Sequence, residues 1–190
     1  MAFHESQNLE NEREQIAHVA AVLIIENGIV DWGFARRKAA RQLGLGERGR
    51  LPDRIQLEAA LRDYATRYLA DEQPDLLDEL RTEALKWMEI LREFDPELTG
   101  PSADGWAYPG CEIRLELLAD DAKVVEIALL NRGIDVTHLP LRAPGSGSIS
   151  LLVEAQTGPL RLIVQDVAQR RNRKHDRSRR KIAEVKALIA

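Results

Sequence analysis

The pair Asp95-Pro96 divides the chain by periodicity, and no other feature of the sequence constrains the fold as strongly. Before it, apolar residues recur at helical intervals between start and stop signals; after it they alternate, as residues of half-buried strands do. Ile16, Val19, Ala20 and Leu23 mark a first helix that ends before Gly28, a residue suited to the left-handed conformation that closes helices. Asp31 is placed to cap a second helix running to Gly44. Pro52-Asp53 opens a third, with Ile55, Leu57, Ala60, Leu61, Tyr64 and Tyr68 as its apolar face. A fourth begins at Pro74, carries Leu77, Leu80, Leu85, Met88 and Leu91, and stops at Asp95-Pro96.

Beyond the break, residues 111 to 118 read as a strand, 120 to 133 as a helix capped by Asp120 or Asp121 and stopped by Gly133, and 134 to 139 as a short strand. The runs ISLLVEA and LRLIVQDV flank QTGP, a hairpin signal in which Gly158 can take positive φ. Ile182, Val185, Leu188 and Ile189 form one face of a final helix. The expectation is an α+β protein: a bundle of about four helices over residues 1–96, a small mixed sheet over 97–168, and a basic arm with an amphipathic helix over 169–190.

Composition narrows the function classes. A chain of 190 residues, 44% of them hydrophobic, can bury one core, or one core and a helical appendage. The start is polar and acidic, unlike a secretory signal, and the apolar run Ile16–Ile25 is too short to cross a bilayer. A cytoplasmic protein with no membrane partner is therefore expected. Cys111 is the only cysteine, which excludes an internal disulfide, and His4, His18, His138 and His175 share no ligand spacing. The net charge of −4 conceals a segregation, because residues 169–181 hold eight Lys or Arg against one Asp. Arg170, Arg171, Arg173, Lys174, Arg177, Arg179, Arg180 and Lys181 thus form a basic arm that could meet nucleic-acid phosphate.

The stretch GPSADGWAYPGCEIRLEL, residues 100–117, carries the chemistry. Gly100, Ala103 and Gly105 hold the spacing of GSxAxG, five residues follow, and CEIRL stands where SDIDL would. Over residues 98–138 the chain resembles the nucleotidyltransferase superfamily that includes DNA polymerase beta, the kanamycin nucleotidyltransferases and the small antitoxin-type enzymes. The resemblance implies a mixed-sheet nucleotidyltransferase-like unit. In that family, two carboxylates spaced i, i+2 on a strand share a face and hold two Mg²⁺ on a triphosphate, while the glycines and serine approach its phosphates. It also implies a third carboxylate on a later strand, for which Asp135 is the match.

This chain departs from that pattern. Pro101 replaces the phosphate-binding serine, with Ser102 adjacent; Glu112 replaces the first Asp; Arg114 replaces the second. A guanidinium cannot ligate Mg²⁺, and Arg114 between Glu112 and Glu116 is expected to pair with them. The reading is a nucleotidyltransferase-like pseudoenzyme that binds a nucleotide or nucleic acid. Gly100, Ser102, Gly105, Arg114 and Trp106 are its nucleotide-binding candidates, Trp106 as a ring that could stack on a base. One alternative is an active nucleotidyltransferase using Glu112 and Asp135 as catalytic residues, with Glu116 as a further Mg²⁺ ligand. A second alternative is a DNA-binding regulator through a helix-turn-helix in residues 16–43, with Arg36, Arg37, Lys38 and Arg41 on its second helix. GLGERG (44–49) follows a helix instead of a strand and GSGS (145–148) lacks the P-loop lysine, so both read as loops.

Overall fold

The computed structural model describes residues 2–45, 51–139, 149–166 and 178–189; the first glycine-rich loop from residue 46 on, the second glycine-rich loop and the arm through Arg177 lie outside them. The fold is α+β, and the chain divides into two compact units. One comprises residues up to Gln73 together with Ala107–Gly110; the other comprises Pro74–Trp106 and the chain from Cys111 onward. Sequence alone places a boundary at residue 96, whereas the units divide at the start of the fourth helix, between Gln73 and Pro74.

The first unit packs α1 (Ala2–Asn27) against α2 (Trp32–Gln42) and α3 (Arg54–Tyr68). Gly28, at φ 63°, follows α1 as expected, and Asp31 caps α2 by accepting the Gly33 and Phe34 N–H groups at 2.7 and 3.0 Å. The residues that α2 buries are all small, Ala35, Ala39 and Ala40, which suits its close approach to α1. Asp53 and Gln56 form a reciprocal capping box at the start of α3. The expected face of α3 needs correction. Leu57, Leu61 and Ala65, spaced four apart, are buried, while Ile55 is 78% exposed and Tyr68 lies outside. A period-four stripe is narrower than the face inferred from all apolar residues. Gln73 holds the separate segment of this unit with two bonds, donating to the Ala107 carbonyl at 2.7 Å and accepting the Ala107 N–H at 2.8 Å.

The second unit contains the rest of α4 (Gln73–Ile90), a 3-10 turn (Arg92–Phe94), β1 (Glu97–Thr99), α5 (Pro101–Asp104), β2 (Ile113–Leu118) and α6 (Ala122–Leu130). It continues through β3 (Thr137–Leu139), β4 (Ile149–Ala155), β5 (Gly158–Gln165) and α7 (Ile182–Ile189). The strands form a mixed sheet in the order β1-β2-β5-β4-β3; β2 and β5 are parallel and the other neighbours antiparallel. Pairing aligns Leu98, Leu115, Leu162 and Leu151 across four strands, and Ile113, Leu160 and Val153 beside them, so one face is apolar core. The other face carries Thr99, Arg114 and Arg161 in one row. Asp121 caps α6, and β4 and β5 form the expected hairpin, with Gly158 at φ 139°. Arg180 adds a backbone bridge to the edge strand β1, its N–H and carbonyl bonding Leu98 at 2.9 and 2.8 Å. Val185 then buries α7, and Lys186 reaches Glu89 at 2.7 Å. Among the described residues, no single helix is long and apolar enough to cross a membrane.

Candidate functional site

The polar row of the sheet meets the turn between β1 and α5, and both belong to the second unit. Gly100 opens that turn at φ 75°, a region L side chains rarely occupy. A Cβ at Gly100 would stand 3.1 Å from both Cδ and Nη1 of Arg114, so the glycine serves two purposes: backbone conformation and passage of the guanidinium. Gly105 closes α5 at φ 86°.

Arg114 has a side chain only 9% exposed, and its Nε donates to Glu112 Oε1 at 2.9 Å. Arg161, its in-register neighbour on β5, donates from Nη2 to Glu112 Oε2 at 2.6 Å. Burial pushes the Glu112 pKa up, but Arg161 and Arg114 together outweigh it and hold the carboxyl below its ordinary value. Glu112 is thus an anion clamped by two cations, with both carboxylate oxygens engaged.

The expected partners of Arg114 are half right. Glu112 pairs with it, whereas Glu116 accepts from Arg179, Nε at 2.8 Å and Nη2 at 3.5 Å. Arg179, an expected nucleic-acid contact, is therefore engaged within the fold. Lys181 is exposed, and its backbone N–H is held by Glu184 at 2.7 Å. Arg170, Arg171, Arg173, Lys174 and Arg177 lie outside the described residues.

Asp135 is not brought to Glu112. It precedes β3, and β3 stands three places along the sheet from β2, about 14 Å at the usual strand spacing. Their separation follows from topology: the strand beside β2 is β5, and the position opposite Arg114 is occupied by Arg161 instead of a carboxylate. Among the described residues, no three His, Cys, Asp or Glu side chains converge on a point where a cation could sit. The donor set at the expected metal position is cationic, which does not fit Mg²⁺.

Trp106 is 4% exposed and Tyr108 is likewise buried, so neither presents an open face for a base. Ser102 is buried; its carbonyl accepts from Arg81 Nε at 3.1 Å, and its hydroxyl has no hydrogen-bond partner. Arg81 and Arg161 are the site residues that sequence reasoning missed. Arg81 interrupts the apolar stripe Leu77, Ala84, Met88 on α4, a visible signal of a buried cation. The position of Arg161 depends on parallel pairing between strands more than forty residues apart, for which no local signal exists. No protein-family model, no curated protein and no solved structure matches the chain.

Proposed function

We propose that the chain is a nucleotidyltransferase-like protein that binds the phosphate of a nucleotide or nucleic acid without metal-dependent transfer chemistry. One observation carries the reading: the Arg114–Glu112–Arg161 cluster fills the place where metal carboxylates would stand. Two guanidiniums beside a glycine turn favour an anion and disfavour Mg²⁺. Calorimetry with ATP, CTP and GTP tests this directly. Binding is expected to persist in EDTA, and Arg114→Asp should make it depend on Mg²⁺. If none of the three binds, the proposal fails.

A second reading, a DNA-binding regulator, draws support from the 119° bend between α1 and α2, within the range of helix-turn-helix pairs. Arg37 and Arg41 are exposed on α2, whereas Arg36 is committed to the Pro52 carbonyl at 2.7 Å. A gel shift on genomic duplex fragments that is unchanged by Arg37→Ala and Arg41→Ala would eliminate this reading.

A further inference from the structure

Arg114 and Arg161 are already neutralised in part by Glu112, which raises the question of where uncompensated positive charge lies in the second unit. Two further arginines adjoin the β1–α5 turn. Arg81, on α4, is 9% exposed, yet none of the described carboxylates forms a salt bridge with it; Asp78, one turn away, acts on it only at longer range. Its single hydrogen bond runs from Nε to the Ser102 carbonyl, which leaves the terminal nitrogens of the guanidinium available. Burial pulls the Arg81 pKa below the ordinary arginine value; Asp78 opposes this and Arg180 adds to it.

Arg180 is held close by its backbone bridge to Leu98, two residues before Gly100. Its side chain is half-buried, its Nε is buried without a partner, and it too lacks a described carboxylate. Ser102, whose carbonyl accepts from Arg81, is 1% exposed, and its hydroxyl has no hydrogen-bond partner among the described residues. Two neighbouring arginines with no counter-ion among the described residues are costly, and a buried hydroxyl without a partner adds to that cost. Such an arrangement becomes favourable when an anion completes it.

We infer that Arg81, Arg180 and the Ser102 hydroxyl form a site for a terminal phosphate. Two guanidiniums match the charge of a phosphate dianion better than that of a phosphodiester, and the hydroxyl supplies a third donor. Arg180, the more exposed of the pair, gives the ligand access, while Arg81 forms the floor. The identity of the ligand rests on the nucleotide-binding reading; the residues and their unsatisfied charge do not. On this assignment the terminal phosphate is held by α4 and the segment before α7.

The test is titration with inorganic pyrophosphate, ATP and adenosine in EDTA, followed by calorimetry, on the full chain and on Arg81→Gln, Arg180→Gln and Ser102→Ala. Pyrophosphate and ATP are expected to bind and adenosine not to. Arg180→Gln should weaken pyrophosphate about tenfold or more, the scale of one lost charge-assisted bond, with an unchanged circular dichroism spectrum. Arg81→Gln should weaken it as much and raise the ligand-free urea midpoint, because it removes a buried cation without a counter-ion. A structural arginine would lower that midpoint. Competition of bound pyrophosphate by ATP or by a 5′-phosphorylated single strand identifies which molecule brings the phosphate, and either result supports the site. Unchanged pyrophosphate affinity in Arg180→Gln and Ser102→Ala overturns this assignment, while ATP binding by those same variants would leave the nucleotide reading intact. A wild-type protein that binds neither pyrophosphate nor ATP overturns both.

Discussion

Glu112 loses hydration on burial and recovers it from two guanidiniums, Arg114 at 2.9 Å and Arg161 at 2.6 Å. Removing one member of a buried ionic cluster leaves the others uncompensated, a loss of about 3–5 kcal/mol. Glu112→Gln should therefore lower stability by about that amount at pH 7, measured by urea unfolding. The pH dependence follows from the direction of the shift. Because the folded pKa is depressed, the contribution is complete above the unfolded value near 4.3 and is lost as pH falls through the lower folded value. The difference between wild type and Glu112→Gln should narrow as pH falls below about 4. A difference that is constant between pH 7 and pH 3 would mean that Glu112 is not held as an anion.

Elements are fixed at their ends as much as along their faces. The start of α3 depends on the Asp53 carboxylate accepting the Gln56 N–H at 2.8 Å and the Gln56 amide oxygen accepting the Asp53 N–H at 2.9 Å. Asp53→Ala should cost about 1 kcal/mol, read from the urea midpoint, and an unchanged midpoint would show that the box contributes nothing. The edge strand β1 poses a different problem, because its free backbone groups invite pairing with another chain. The bridge from Arg180 to Leu98 occupies that edge, and Val185, Lys186 and the Arg179–Glu116 pair hold the bridging segment in place. The end of the basic arm thus acts first as a structural strap.

Over the whole molecule, a net charge of −4 combines an acidic majority with the basic stretch 169–181. Because Arg179 and Arg180 are built into the second unit, truncating the arm would confound binding with stability. Replacing Arg170, Arg171, Arg173 and Lys174 together with Gln separates the two. If these residues contact single-stranded phosphate, the slope of log K against log salt should become shallower by about 3, at roughly 0.7 per lost contact. An unchanged slope would exclude this part of the arm as the contact surface.

Local chemistry determined the elements of this protein. Asp31, Asp53 and Asp121 cap the helices expected of them, Gly28 and Gly133 close theirs, and Gly158 makes the hairpin, because caps and turns are decided within a few residues. The α+β class followed from the change of period at Asp95-Pro96, and the proximity of Arg114 to Glu112 from their i, i+2 spacing. Tertiary structure decided what lies beside them. Parallel pairing of β2 with β5 set Arg161 against Arg114, strand order kept Asp135 away from Glu112, and the bridge at Leu98 brought Arg180 to the turn near Arg81. The physical reason is that a side chain's own strand fixes its face, whereas its neighbours on that face come from segments dozens of residues away. Their pairing depends on the burial of the whole sheet and leaves no trace in either segment alone.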